Sequence, residues 1–283
     1  MNQINNFKWR KIKREDLQKA TDLLVENEKN YVSACGRFLS RTQGDPIWVL
    51  DGGKKEIAAL AVFSKSSLIP VLGANGEIPV PEFPRDYLRN KTIHSLQGLT
   101  DEVMHFEKAM EKTGRKITDK YDYDLMSLDS YPDMSTAKSS PGRLVFRVPA
   151  LSDLNAIALL QAAYEMEEVI PAGSSFNAAA SRTGISNIIA NGRILAAVIN
   201  GRFVGKIHVN AVSFTRYQIG GVYVHPDYRG LGIGRRLTAE FIITLLNESR
   251  GITLFVKKNN LSACRLYRGL GFTVKGDYRI TYY

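Results

Sequence analysis

The sequence predicts two tandem mixed α/β domains, each with a central, mostly antiparallel sheet flanked by helices. Three observations lead there. The chain has 283 residues, and about 100 to 200 residues is usual for one domain. An order of strand, helix and antiparallel meander occurs twice. Between the two occurrences, Ser130 to Gly142 reads SYPDMSTAKSSPG, where turn formers replace hydrophobic periodicity. The expected domains are therefore 1–136 and 143–283, joined there by a linker. A content of 44% hydrophobic and 23% charged residues describes an ordinary globular chain rather than a disordered or fibrous one.

In the first copy, Trp9-Arg10-Lys11-Ile12 reads as a strand leading to Asp16-Leu17, where a helix begins. Phe146-Arg147-Val148-Pro149 leads to Asp153-Leu154 at the same spacing in the second. Each aspartate is placed to cap its helix by accepting from the first backbone N–H groups, and Leu154, Ile157, Ala158 and Leu160 follow at helical intervals. A hairpin comes next: Ile47 to Asp51 and Ile57 to Phe63 in the first copy, Ile194 to Ile199 and Arg202 to Val209 around Asn200-Gly201 in the second. Asn-Gly favours a tight hairpin turn because both residues accept positive φ. Third strands at Leu68 to Leu72 and Tyr217 to Val224 complete each meander.

After the third strand the copies diverge. The first continues Gly73-Ala74-Asn75-Gly76-Glu77 into a Pro-rich stretch, Pro79 to Pro84. The second reads YQIGGVYVHPDYRGLGIGRRLTAEFIITLL over 217–246: a strand, a bend at His225-Pro226, a glycine-rich loop and an amphipathic helix. Gly230, Gly232 and Gly234 lack Cβ atoms, so backbone N–H groups can approach a phosphate closely, and the free N–H groups of the next helix add their dipole. Arg229, Arg235 and Arg236 add cationic donors. A pyrophosphate suits this turn. A P-loop does not, since Gly234 is followed by Arg235-Arg236 rather than Lys-Ser or Lys-Thr.

Arg229-Gly230-Leu231-Gly232-Ile233-Gly234 resembles the acetyl-CoA loop of the GNAT family of N-acetyltransferases, whose pattern is Arg or Gln, two residues, Gly, one residue, Gly or Ala. A second match follows in order, Asn260-Leu261-Ser262-Ala263-Cys264-Arg265-Leu266-Tyr267 and then Gly271-Phe272. The resemblance covers about half the chain, from Leu144 to Tyr283 with the last strand near Tyr278. The first half looks like a degenerate copy without the phosphate loop, as in tandem proteins of this type. By resemblance, Val222, Tyr223 and Val224 bond the pantetheine arm through their backbone, residues 229–235 hold the pyrophosphate, and Asn260 caps a helix or bonds the pantetheine amide.

The implied reaction is direct transfer of an acetyl group from acetyl-CoA to a primary amine of a small molecule or peptide. That chemistry needs a donor for the thioester oxygen, an acid for the departing thiolate and a base for the amine. A backbone N–H near Val222 to Val224 suits the first need, or serves ordinary sheet pairing. Tyr267 is the family-equivalent acid, or a packed tyrosine. No motif identifies the base. Glu167 and Glu168 are candidates that also read as a solvated helix end, whereas His225 is a bend residue. Cys264 is a small buried thiol rather than a nucleophile.

Lys and Arg number 38 against 28 Asp and Glu, a net charge of +10. Part gathers at Arg229, Arg235, Arg236, Lys257 and Lys258, so the expected anion is coenzyme A, with nucleic acid demoted for want of an RNA-binding signature. Lys257-Lys258, Arg265 and Arg268 meet the outer phosphate or form a solvated face. Two distant cysteines, Cys35 and Cys264, indicate neither a disulfide framework nor a metal site, and suit a reducing cytoplasm. No run of about 18 apolar residues indicates a membrane span. The alternatives are a non-catalytic CoA-binding sensor or scaffold and an aminoacyl-tRNA-linked acyltransferase. The acceptor and the oligomeric state, a homodimer included, stay open.

Overall fold

The computed structural model describes residues 7–41, 45–52, 56–73, 80–132, 144–171 and 173–283. Packing divides the chain into one unit of Met1–Leu125 with Lys275–Tyr283 and a second of Met126–Val274. These limits differ from 1–136 and 143–283. The break in periodicity that marks a linker falls largely at 133–142, outside the described residues. The division instead falls inside two strands, because strand membership follows hydrogen-bonding partners rather than local composition.

In the first unit, β1 (Lys8–Lys11) and a tight turn lead to α1 (Leu17–Glu26) and α2 (Glu28–Leu39). Then come β2 (Ile47–Asp51), β3 (Ile57–Ser64), β4 (Ser67–Val71), α3 (Arg85–Asn90), β5 (Ser95–Leu99), α4 (Thr100–Glu111) and β6 (Asp119–Leu128). The sheet runs β1-β2-β3-β4-β5, antiparallel except for the parallel pair β4–β5. Its core centres on aromatic contacts, with Trp9 5.1 Å and Phe106 5.5 Å from the Phe83 ring centre. Of the stretch that replaces the phosphate loop, residues 74–79 lie outside the described ones.

The second unit repeats this order. β7 (Leu144–Arg147) precedes α5 (Leu154–Tyr164), which runs into a π-helical turn, Glu165–Val169, and α6 (Ala178–Ala190). β8 (Ile194–Ile199), β9 (Arg202–Val212) and β10 (Arg216–Val224) form the meander, with Asn200 and Gly201 at φ of 49° and 79° as the predicted turn requires. α7 (Ile233–Leu246), β11 (Gly251–Lys257), α8 (Leu261–Gly269) and β12 (Thr273–Tyr282) follow. The strand order is β11-β10-β9-β8-β7, with β10–β11 parallel and the others antiparallel. Ile207, Leu237, Ile242 and Ile252 are wholly or almost wholly buried in its core.

Two expectations need correcting. Asp16 and Asp153 do not cap α1 and α5 with their side chains; each ends a short turn and reaches back to a backbone N–H three residues earlier, Lys13 at 2.7 Å and Ala150 at 2.8 Å. Each also takes two hydrogen bonds from an arginine on the preceding strand, Arg10 at 2.5 and 2.9 Å and Arg147 at 2.8 and 2.9 Å. A turn brings the carboxylate beside the strand that it has just left, where a guanidinium fork outcompetes helix N–H groups. The last strand, expected to complete the second copy, pairs antiparallel with β5 from Tyr278↔Leu99 to Tyr282↔Ser95 and belongs to the first unit from Lys275 onward.

Candidate active site

The site lies in the second unit, where β10 and β11 part. They pair in parallel from Arg216↔Gly251 to Gln218↔Thr253. Further along, Val222, Tyr223 and Val224 of β10, Lys257 at the end of β11, and Asn259 and Asn260 after it line one cavity of about 880 Å³. A bulge in β10 contributes to the parting: its register with β9 jumps from Gly220↔His208 to Tyr223↔Lys206, so Gly221 and Val222 oppose one residue. Gly221, at φ of 58°, takes a conformation that L side chains rarely adopt.

The glycine-rich loop closes the end of this cavity. Pro226 opens a single turn, Pro226–Tyr228, which the ring of His225 caps by accepting from the Asp227 N–H at 3.4 Å, so His225 serves the bend. Gly230 and Gly232 follow at φ of 77° and 74°. A Cβ at Gly230 would meet nothing within 4 Å, so this backbone stands open, while one at Gly234 would lie 3.4 Å from Leu266 Cδ1. α7 starts at Ile233, and its first N–H groups have no partners within the helix. Gly230, Gly232, Ile233, Gly234 and Arg235 line the cavity. Leu231, also expected here, is not among the lining residues.

The arginines are anchored by the protein itself. The Arg229 guanidinium donates to Glu167 Oε2 at 2.7 Å and to the Val224 carbonyl at 2.9 Å. Arg235 donates to the Gly269 carbonyl at 2.7 Å. Arg236 lies over the Phe146 ring, 5.7 Å from its centre, and is not a lining residue. The loop's backbone is thus its most open donor surface.

Joined to the loop through the Arg229–Glu167 pair, the π-helical turn brings both candidate carboxylates to the cavity. Glu168 Oε1 accepts from Asn260 Nδ2 at 3.1 Å, and its Oε2 lies 3.9 Å from Lys257 Nζ. Burial raises the Glu168 pKa above its ordinary value, an effect that Lys257 and Arg229 oppose and Glu167 reinforces. Asn260 turns its Oδ1 to the Ala263 N–H at 3.0 Å, capping α8 as expected.

Tyr267, on α8, is 7% exposed and is not among the lining residues. Its ring meets that of Phe272 edge-on at 5.8 Å. Burial pushes its phenol well above the ordinary range, with Tyr164, Glu168 and Cys264 adding to the shift, so it is protonated at neutral pH. Cys264 is buried, its Sγ 3.7 Å from the Lys257 carbonyl.

Sequence reasoning missed a polar row on β9 that is buried at Lys206 and His208. Lys206 is fully buried, and its Nζ donates to the Gly221 carbonyl at 2.8 Å. His208 is buried beside it, kept neutral by burial and by Lys206. The readable sign was polar residues at alternate positions of an apolar strand, Lys206, His208 and Asn210, together with the pair Gly220-Gly221.

No helix among the described residues is long and apolar enough to cross a membrane. Residues 159–272 match the family model described as the acetyltransferase (GNAT) family. No curated protein sequence matches the chain. Among solved structures, a Drosophila protein is 12% identical with a TM-score of 0.68, covering 97% of this chain and 98% of its own. A GCN5-related N-acetyltransferase from Sphaerobacter thermophilus is 18% identical with a TM-score of 0.63, covering 97% and 94%. A tandem GNAT protein from the clavulanic acid biosynthesis pathway is 14% identical with a TM-score of 0.63, covering 98% of both chains. At these identities the structures show the shared fold, over the full length of the chain. The family match falls on the unit that carries the glycine loop, the splayed strands and the Asn260 cap, so residues 159–272 are similar to the GNAT acetyltransferase family.

Proposed function

We propose that the second unit is an acetyl-CoA-dependent N-acetyltransferase that transfers the acetyl group directly to a primary amine of a small molecule or peptide. The observation that carries this is the cavity of about 880 Å³, which joins an open glycine backbone at one side to two carboxylates at another. The residues fit the cofactor: the missing Cβ at Gly230 leaves room for phosphate oxygens, and N–H groups at the start of α7 are anion donors. Acetyl-CoA would supply a thioester-activated acyl group and a thiolate leaving group.

The chain's own residues serve the remaining needs. Backbone groups of Val222, Tyr223 and Val224 bind the pantetheine arm, and a backbone N–H of this bulged segment meets the negative charge that develops on the acyl oxygen. Glu168 is the better of the two bases, since burial raises its pKa toward working pH while Arg229 holds Glu167 as an ion pair. Tyr267 carries the proton for the thiolate. Transfer is direct because the Cys264 thiol is buried against the Lys257 carbonyl. The second unit, most of the expected 143–283, is the cofactor-binding copy, and the first, which takes in the last strand, is a degenerate copy with a structural or acceptor-shaping role; the twin Arg–Asp pairs and the repeated sheet order support this duplication. Two buried thiols suit a cytoplasmic setting.

Acetyl-CoA should raise the thermal midpoint, by the equivalent of about 2.7 kcal/mol at a hundredfold excess over Kd. Gly232→Glu puts a carboxylate beside the phosphates and should abolish the rise. A saturating cofactor that shifts nothing would sink the proposal. A second reading, CoA binding without turnover, is favoured by the burial of Tyr267 away from the lining. Tyr267→Phe separates them: an enzyme loses rate at unchanged affinity, a binding module has no rate to lose.

A further inference from the structure

The polar row on β9 leans across the bulge of β10. A Cβ on Gly220 would lie 2.0 Å from Asn210 Nδ2, and one on Gly221 2.0 Å from His208 Cε1, so the glycine pair makes room for these side chains. Beyond them, the Lys206 side chain passes to the Gly221 carbonyl, its Nζ 2.8 Å from that oxygen and 4.6 Å from the centre of the Tyr164 ring. Glu165, in the π-helical turn, is the carboxylate whose field acts on it.

A fully buried amino group is costly, and methionine would fill the same length of apolar space. What methionine could not do is hold a carbonyl. The Gly221–Val222 peptide is planar and trans, so fixing its oxygen fixes the direction of the Val222 N–H on the opposite edge. Val222 sits in the bulge and lines the cavity. We infer that Lys206 is a positioning residue that, by holding the Gly221 carbonyl, turns the Val222 N–H toward the cavity as the donor to the acyl oxygen of a bound thioester. This rests on the acyl-transfer reading above. Burial lowers the Lys206 pKa to about 7, and an amine donates a hydrogen bond whether charged or neutral, so the positioning survives titration. In its charged form Lys206 also polarises the peptide, strengthening the N–H on its far side.

Acetyl-CoA carrying carbon-13 at the thioester carbonyl is the probe, read by isotope-edited infrared spectroscopy. Bound to the wild-type chain, the carbonyl stretch should fall below its value in solution. Lys206→Met should bind acetyl-CoA with unchanged affinity and lose that downward shift; with any accepted amine, turnover should be about a hundredfold lower at unchanged KM for acetyl-CoA. Retention of the full shift in Lys206→Met overturns the inference alone, as does a wild-type chain that binds without any shift. A parallel loss of affinity would make Lys206 a binding or structural residue and also overturns it. If Lys206→Met does not fold, the wild-type chain with nitrogen-15 valine decides: the Val222 amide proton should move downfield when acetyl-CoA binds, and an unmoved signal overturns the inference. A wild-type chain that fails to bind acetyl-CoA sinks the acyl-transfer reading itself, and this inference with it.

Discussion

Replacing Asp16 by asparagine tests whether the paired Arg–Asp turns are structural, and the size of the effect can be worked from the geometry. The Asp16 side chain is 5% exposed, against 30% for Arg10. It accepts from Arg10 at 2.5 and 2.9 Å and from the Lys13 N–H at 2.7 Å. The Arg10 bonds, with help from Lys13 and against the cost of burial, bring its pKa from 3.8 down to about 2. Each pKa unit is about 1.4 kcal/mol, and solvent at Arg10 discounts the total, leaving about 1–2 kcal/mol of stability at pH 7. A depressed carboxylate pKa stabilises the fold above the unfolded value of 3.8, and that stability is lost as pH falls through about 2. At pH 3 about half of it should remain. Asp153→Asn is the internal control: its arginine is 43% exposed and its own side chain 18%, so the loss should stay below about 1 kcal/mol. Urea denaturation of both variants and the wild type at pH 7 and pH 3 measures this. Equal losses in the two variants, or a deficit for Asp16→Asn that is the same at both pH values, would refute the reasoning.

Gly230→Ala should cost about 1–2 kcal/mol from its left-handed backbone and weaken acetyl-CoA binding, whereas Gly234→Ala, helical and 3.4 Å from Leu266 Cδ1, should keep binding; calorimetry on both separates cradle from packing. Glu167→Gln releases the Arg229 guanidinium toward the phosphates and should tighten acetyl-CoA binding by up to about fivefold, the worth of one half-exposed ion pair. A weaker affinity would show that Glu167 orients Arg229 rather than competes for it. Glu168→Gln should lower kcat/KM by about a hundredfold and remove the acidic limb of its pH profile, because a base must be ionised to act and burial raises the pH at which it ionises. A profile unchanged in shape would take the base elsewhere.

Much of the fold was legible because its signals are local. Asn200-Gly201 names its own turn, β-rich runs bounded by turn residues name the meander, and the same spacing from Arg10 to Asp16 and from Arg147 to Asp153 marks the duplication. The role of those aspartates was not legible. Helix capping and pairing with an arginine six residues earlier place the same residue type at the same position, and only the direction of the turn decides between them. The last strand misled for a similar reason. Its alternation says that it is a strand, but no pattern within Thr273–Tyr282 says which edge it will join.

The site divides along the same line, between main-chain chemistry that needs glycine and side-chain chemistry that needs distant partners. Gly230 and Gly232 are readable because a left-handed backbone excludes nearly every other residue, so the anion cradle leaves its mark within a few positions. Asn260 is readable for a comparable reason, as a cap three residues from the N–H it serves. The pair Glu167–Arg229 spans 62 positions and Lys206–Gly221 spans 15, and neither partner constrains the residue types beside the other. What the second pair does leave is Gly220-Gly221 in the middle of a strand rich in β-branched and aromatic residues. A glycine pair there weakens the strand unless something approaches its backbone closely. In this chain the approaching groups are the side chains of β9, so the glycines that look like a defect in β10 are the sequence trace of the polar row that holds its bulge.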